Sequence, residues 1–197
     1  MKKYCLILLF FPLLFIFTAC ENQWIKGITS HMFATHKVGD IGPGGGIVFC
    51  VIPSGFLMRD TGERAYHLEV SPEPLHYSWA SSDLSMGHRI YTLSGIGTGR
   101  YNTNLILATD PTAPAALACK GFGFGGLNDW YLPSVAELEE LVYGYPGSLA
   151  DFPNDLWTSE QAIDDSQDAV GFAHLGSSST FDMTKTVSMF VIPIRAF

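Results

Sequence analysis

A glycine-rich run, "GDIGPGGGIVFC" from Gly39 to Cys50, places the strongest constraint on the fold, because four of the five residues from Gly42 to Gly46 are glycine. A phosphate-binding loop needs a strand, then the glycines, then a helix, since the helix N-terminus supplies the anion site. Here the glycines precede residues typical of a strand, and no Lys-Ser or Lys-Thr pair follows them. The run therefore predicts a tight turn that leads into a buried strand.

A second glycine-containing stretch, "GIGTGR" at Gly95 to Arg100, has the spacing G-x-G-x-G rather than G-x-G-x-x-G and lacks a clear preceding strand. It therefore gives little support to nucleotide binding. Arg100 and Asn102 beside it are candidates for lining a polar pocket. The alternative is that both side chains brace the loop.

The N-terminal segment predicts export. Two lysines precede an apolar run from Leu6 to Phe17, which is shorter than the roughly 20 residues of a transmembrane helix and matches a secretory h-region. Small residues then lead to Cys20, and this order resembles the bacterial lipoprotein signal. We predict a signal peptide at 1–19, a lipid on Cys20, a tether at 20–37 and one domain at 38–197. A plain secretory signal and an uncleaved anchor are the alternatives.

The charge of the mature chain limits its partners. Residues 20–197 hold 9 Lys and Arg against 19 Asp and Glu, a net charge of −10 with neutral histidines. Such an acidic surface argues against nucleic acid as a partner. The composition thus fits an acidic extracytoplasmic domain with a membrane contact through the lipid on Cys20.

Two cysteines remain in the domain, Cys50 and Cys119. In an oxidising compartment they could form a disulfide, although sequence alone does not place them within bonding distance. Two buried free thiols are the equal alternative, because free cysteine packs like a small apolar residue.

The pattern along the chain predicts an α+β fold with an antiparallel sheet and two or three helices. "GGIVFCVIP" is typical of a strand that Pro53 closes. In "RAYHLEVSP" successive side chains alternate between two faces, which predicts a second strand that forms an antiparallel hairpin with the first. Strand-like pieces follow later in the chain: "DLWTSEQ", "DAVGFAHLG" and "SMFVIPIRAF", the last containing Pro193 and therefore placed at an edge or a bulge.

Helical patterns occupy the middle of the chain. "NTNLILATDPTAPAALACKG" is helix-compatible on either side of Pro111. "PSVAELEELVYGYPG" is the clearest helix, because Ser134 and Glu137 match the S-x-x-E capping box and Gly144 with Pro146 supplies a stop.

Six motifs in order resemble the C-terminal domain of the Legionella collagen-like adhesin, a family long listed as a domain of unknown function. They are "VGDIGPGGGIVF", "YHLEVSP", "GIGTGRYNT", "GGLNDWYLPSVAELEEL", "LWTSEQ" and "VIPIRAF". The resemblance implies an extracytoplasmic, often lipid-anchored or secreted domain without established enzymatic activity. The named member binds sulfated glycosaminoglycans, but a net charge of −10 and the lack of a Gly-X-Y stalk do not carry that ligand over. "LPSVAELEEL" also looks like one helix of C-type-lectin-like and formylglycine-generating-type domains.

Aromatic residues are the best candidates for ligand contact. Trp79, Trp130 and Trp157 each lie in polar, turn-rich sequence, where an exposed indole offers a stacking face and one donor. Trp79 is the strongest candidate for exposure. The alternative for Trp130 and Trp157 is that each fills the core beneath a loop.

Residues suited to catalysis or metal binding are few. The six histidines are scattered, no G-x-S-x-G motif is present, and the capping box accounts for Glu137. Acidic residues within 151–155 and 164–168 could bind a hard cation, but they lack an EF-hand pattern, and solvated turns are favoured. We expect neither catalysis nor a cofactor.

The sequence predicts an envelope lipoprotein whose domain binds a glycan or a protein, in the manner of an adhesin. A structural protein that binds another envelope component is the second hypothesis, and an enzyme on a lectin-like scaffold is the third.

Overall fold

Strands flank a central group of helices along the chain. The structure is a computed structural model, and it describes residues 36–81, 89–148, 150, 152–164, 167–174 and 178–197. Its strands are β1 Ile47–Leu57, β2 Arg64–Val70, β3 Leu75–Ser78, β4 Asp155–Gln161, β5 Asp168–Ala173, β6 Ser179–Thr184, β7 Ser188–Val191 and β8 Ile194–Ala196. Its helices are α1 Gly99–Thr109, α2 Pro114–Lys120 and α3 Val135–Gly144, with a 3-10 turn at Phe124–Gly126. The predicted signal peptide, Cys20 and nearly all of the tether lie outside the described residues.

The strands form two sheets rather than the one that the sequence predicted. A three-stranded antiparallel sheet has the order β1-β2-β8, and a five-stranded sheet has the order β3-β7-β4-β5-β6. The neighbours β4 and β7 run parallel, whereas the other pairs are antiparallel. The predicted α+β class is confirmed. Within the described residues, no helix combines the length and the hydrophobicity that crossing a membrane requires.

The glycine run is a turn before β1, as predicted. Gly42 N–H donates to the carbonyl of Gly46, and Gly45 N–H donates back to Gly42, so residues 42–46 reverse the chain. The prediction that Pro53 closes the strand is wrong, because β1 continues to Leu57. The register with β2 shifts between Val51 and Phe56, so the ladder passes over Pro53 and its missing N–H breaks no bond.

Helix α3 has the predicted capping box. Ser134 Oγ accepts a bond from the N–H of Glu137, and the Glu137 carboxylate accepts one from the N–H of Ser134. The helix ends at Gly144, two residues before Pro146, as the sequence indicated.

Pro193 separates two strands that the sequence joined into one. Strand β7 belongs to the five-stranded sheet and β8 to the three-stranded sheet. The carbonyl of Pro193 accepts a bond from Ser71 N–H, which keeps the crossing segment attached to the end of β2. One short segment of chain thereby links the two sheets.

The five-stranded sheet contributes to two separate core clusters. Neighbouring side chains on a strand point to opposite faces. Leu156 accordingly packs with α3 and the three-stranded sheet, while Trp157 packs with Ile106 of α1 and Ala116 of α2. Helices therefore cover both faces of this sheet.

Candidate binding surface

The tryptophans predicted as stacking platforms are buried. Trp79 is 1% exposed, so the prediction that it is exposed is wrong, whereas Trp157, at 0% exposure, fills the core, which was the alternative stated for it. The Trp79 indole N–H donates to the carbonyl of Thr158 at 2.8 Å, and that of Trp157 donates to Tyr77 at 3.1 Å. Because backbone carbonyls satisfy both donors, each indole is stable in the core.

Trp130 is also fully buried, yet it supports an exposed aromatic loop. Its indole N–H donates to the carbonyl of Phe124 at 3.4 Å, and its ring meets that of Phe122 edge to face at 5.3 Å. Phe124 is 42% exposed. The exposed aromatic residue of this region is thus a phenylalanine six positions before the tryptophan that the sequence suggested.

Arg100 and Asn102 brace loops, which was the alternative that the sequence left open. Arg100 donates from Nε to Asp60 at 2.7 Å and so ties α1 to the β1–β2 connection. Asn102 is fully buried and bonds through its amide to both the N–H and the carbonyl of Leu93. Neither side chain lines an open pocket as a free ligand-binding group.

Cys50 and Cys119 are both buried free thiols. They belong to different core clusters, Cys50 to that of the three-stranded sheet and Cys119 to that of α1 and α2. Burial, together with the nearby Glu140 carboxylate, raises the pKa of Cys50 to about 12, and burial also raises the pKa of Cys119. Neither thiol is reactive in the folded domain. The structure therefore favours the thiol alternative over the disulfide.

The glycine turn, residues 41–46, closes on a carboxylate of the protein itself. Glu69 of β2 is fully buried, and it accepts bonds from Gly44 N–H at 2.9 Å and Gly46 N–H at 3.0 Å. A Cβ on Gly44 would lie 2.7 Å from Glu69 and 2.8 Å from the Trp130 ring, so only glycine fits there. The turn does bind an anion, and that anion is Glu69.

Arg195 of β8 neutralises this buried carboxylate and reaches the surface. Its Nη1 donates to Glu69 at 2.9 Å, and its Nε donates to Asp129. The exposed fraction of the side chain rises along the network, from 0% for Glu69 through 12% for Arg195 to 36% for Asp129. The result is a partly exposed carboxylate whose position is fixed from inside.

Three rings adjoin this network. The Arg195 guanidinium lies 5.6 Å from the ring centroid of Phe197, which stacks on His67 at 4.8 Å. His36 meets both rings edge to face. Burial lowers the pKa of His67, and within the described part of the chain its Nε2 has no hydrogen-bond partner. We call Asp129, Arg195, Phe197 and His36 the Arg195 surface, and the buried ring of His67 packs beneath it against Phe197.

The second glycine stretch closes on a different buried carboxylate. Glu137 accepts bonds from Gly97 N–H at 2.9 Å, Ser134 N–H at 2.8 Å and Tyr131 Oη at 3.2 Å. Burial raises the pKa of Glu137, although these hydrogen bonds partly oppose the rise. The "GIGTGR" stretch therefore joins α1 to the N-terminus of α3. Its Gly97 N–H already donates to Glu137.

The acidic segments suggested for a cation are only partly described. Asp151 and Asp165 lie outside the described residues. Among the residues that the structure describes, no group of three or more His, Cys, Asp or Glu side chains is arranged to hold a metal ion.

Sequence reasoning missed the Arg195 surface because its parts are distant along the chain. Glu69 and Arg195 are 126 residues apart, and Arg195 and Asp129 are 66 apart. Alternation along β2 places His67 and Glu69 on the face opposite Leu68 and Val70, and both are buried there, at 5% and 0% exposure. The local sequence carries no signal for this pairing, because even the glycine turn and Glu69 are joined by bonds between residues 23–25 positions apart.

Comparison with known proteins yields similarity at the level of the fold. No family model and no curated protein matches the chain. A solved fimbrial protein from Bacteroides ovatus is similar with a TM-score of 0.50 at 12% identity, over 83% of this chain. The chain spans about half, 46%, of that protein. The similarity supports the α+β architecture.

Proposed function

We propose that this protein is a bacterial envelope lipoprotein whose domain is a non-catalytic binding module for a glycan or a protein. The signal pattern that ends at Cys20 and the resemblance to the adhesin domain family support the compartment. The observation that carries the binding role is the Arg195 surface, where Arg195 contacts both the partly exposed carboxylate of Asp129 and the ring of Phe197.

The fixed position of Asp129 makes it suited to recognition. Arg195 is bonded to both Asp129 and the buried Glu69, so the Asp129 carboxylate is oriented before a ligand arrives. Preorganisation of this kind strengthens binding because less conformational freedom is lost on association. A partly exposed carboxylate acceptor suits sugar hydroxyl groups or a cationic side chain of a protein.

A matched pair of variants tests this surface. Residues 21–197 are applied to a glycan array, with calcium and again with a chelator, as wild type, Asp129→Asn and Asp182→Asn. Asp182 is an exposed carboxylate on β6 of the other sheet. We expect at least a tenfold loss of binding for Asp129→Asn alone. Equal binding by all three proteins would reject the Arg195 surface as the contact.

The compartment is tested separately. The mass of the purified mature chain shows whether Cys20 carries a lipid, and protease treatment of intact cells shows whether the domain is exposed outside. A mass without the lipid would reject the anchor. A lipidated domain that is protected from protease and silent on the array would favour the structural role, with another envelope component as partner.

A further inference from the structure

In the described part of the chain, the two sheets have four edge strands, and three of them are protected. The outer side of β1 pairs with Ile41 at its start, and its ladder is interrupted around Pro53. Strand β8 pairs with Tyr131, whose N–H and carbonyl both bond to Ile194. Strand β3 has only four residues and directly follows Pro74. Covering segments, proline and short length are devices by which proteins prevent a further strand from pairing at an edge.

The fourth edge strand, β6, has none of these devices. It pairs with β5 through six consecutive residue pairs, from Ser179 to Thr184, without a register shift and without proline. No strand or isolated bridge among the described residues pairs with its outer side. The Phe181 ring lies back across β5, because a Cβ on Gly171 would be 2.5 Å from it. Strand β6 therefore presents a straight row of backbone N–H and carbonyl groups to a further strand.

Two carboxylates lie on one face of this edge. Asp182 of β6 is exposed and pairs with Val170 of β5, while Asp168 of β5 is partly exposed and lies two residues before Val170. Residues two apart on a strand share a face, so Asp168 and Asp182 are diagonal neighbours at roughly 7–8 Å. Neither carboxylate forms an ion pair with a residue that the structure describes.

These carboxylates distinguish between the occupants that the edge could accept. If β6 of a second copy paired there in full overlap, it would bring two further carboxylates to the same stretch, and like charges on paired strands are destabilising. A strand with lysine or arginine at alternate positions would instead place cations beside Asp182 and Asp168. The charge of the edge therefore favours an extended basic segment of another protein over a second copy of this chain.

We propose that β6 is a docking edge for an extended, basic segment of a protein partner, which adds to the five-stranded sheet as a sixth strand. Backbone hydrogen bonds to β6 hold the segment, and its alternate cationic side chains face Asp182 and Asp168. This site is separate from the Arg195 surface, because Arg195 belongs to the other sheet. A glycan array offers no such segment, so Asp182→Asn remains the control in that experiment.

Three designed β-hairpin peptides serve as probes. The exposed strand of the first alternates lysine with valine, and the second carries glutamate in place of each lysine. The third keeps every lysine but is N-methylated on the outward backbone amides, so it retains the charge and loses the hydrogen bonds. Fluorescence anisotropy measures the binding of each labelled hairpin to residues 21–197. Nuclear magnetic resonance follows hydrogen exchange of the β6 amides.

We expect the lysine hairpin to slow hydrogen exchange in β6 and to bind about tenfold more tightly than either of the other two hairpins. Asp182→Lys should weaken binding of the lysine hairpin about tenfold. Glu139→Lys makes the same change of charge at an exposed position of α3, and it should change binding by less than about twofold because salt screens distant charges. Circular dichroism checks that both variants are folded.

Three results would overturn the proposal. If the lysine hairpin at roughly 1 mM neither binds nor slows exchange in β6, the edge accepts no such strand. Equal binding of the lysine and N-methylated hairpins would show attraction between charges without strand pairing. Self-association of residues 21–197 in sedimentation, with slowed exchange in β6, would show that a second copy occupies the edge.

Discussion

Two glycine-containing turns of this domain close on buried glutamates, but the two carboxylates have different partners. Under the glycine turn, Glu69 receives backbone N–H groups and the guanidinium of Arg195. At the second stretch, Glu137 receives the N–H groups of Gly97 and Ser134 and the hydroxyl of Tyr131. Within the described residues, Glu69 takes part in an ion pair and Glu137 does not.

The difference separates a surface role from an internal one. A cation that neutralises a buried carboxylate has further donors, and Arg195 uses one of them to fix Asp129 at the surface. The Glu137 carboxylate accepts bonds from Gly97 N–H in the loop and from Ser134 N–H at the N-terminus of α3, so it connects elements inside the protein. Burial raises its pKa, which a nearby cation would oppose.

The largest expected effect is that of removing Arg195. Arg195→Met leaves Glu69 buried without its cation, and breaking a buried pair in this way costs about 3–5 kcal/mol in the free energy of unfolding. Chemical denaturation measures the loss. Lys120→Met, which removes an exposed cation of α2, should change stability by less than about 0.5 kcal/mol. A similar loss in the two variants would contradict the role of Arg195.

The two turns should also differ in their tolerance of a methyl group. A Cβ on Gly46 would lie 2.4 Å from the carbonyl oxygen of Val70, whereas a Cβ on Gly95 meets nothing within 4 Å. Gly46→Ala should therefore cost about 3 kcal/mol, at the upper end of overpacking. Gly95 has φ +113°, so Gly95→Ala should cost about 1–2 kcal/mol from backbone strain alone. Thermal unfolding of both variants shows which one loses more stability, and a larger loss for Gly95→Ala than for Gly46→Ala would contradict this prediction.

Replacing Glu137 should have a moderate effect. In Glu137→Gln one oxygen remains an acceptor, but the NH2 group faces a backbone donor of Gly97 or Ser134, which costs about 1–3 kcal/mol. Glu139→Gln on the exposed face of the same helix is the control and should be nearly neutral. Urea denaturation at pH 7 compares them. A neutral Glu137→Gln would show that the carboxylate does not join these elements.

The smallest and most specific effect is on pH dependence. Since the folded-state pKa of Glu137 is raised, its contribution is complete below the unfolded value of 4.5 and is lost as the pH rises through the folded pKa. The difference in stability between wild type and Glu137→Gln should therefore shrink as the pH rises, by at most about 1.4 kcal/mol per pH unit.

Asp110 supplies the opposite case. Burial acts to raise its pKa, but hydrogen bonds from Ser81 and Thr112 outweigh burial and lower it, so its contribution is present above the unfolded value of 3.8 and is lost in acid. The advantage of wild type over Asp110→Asn should shrink as the pH falls. If the stability differences of Glu137→Gln and Asp110→Asn from wild type changed in the same direction with pH, the opposite pKa shifts of the two carboxyls would be contradicted.

The sequence was sufficient for features that depend on neighbours along the chain. The capping box of Ser134 and Glu137 and the turn before β1 are set by local hydrogen bonds, and the bounds of β4 coincide with the strand-like piece "DLWTSEQ". The α+β class follows from the same signals.

Features set by distant partners were not predictable. The indole of Trp79 is buried because the carbonyl of Thr158, 79 residues away, accepts its N–H, and no local pattern indicates that partner. Alternation along β2 does not reveal that the glycine turn and Arg195 cover Glu69. Pro193 indicated an edge position or a bulge, but not that the chain passes there from one sheet to the other.

The most direct test of this account is a double-mutant cycle on Glu69 and Arg195, with unfolding free energies measured for wild type, Glu69→Gln, Arg195→Met and the double variant. If Arg195 neutralises Glu69 beneath the glycine turn, the double variant should lose at least about 1 kcal/mol less than the sum of the single losses. Losses that add within about 0.5 kcal/mol would show that the two groups act independently, and would contradict the origin proposed here for the Arg195 surface.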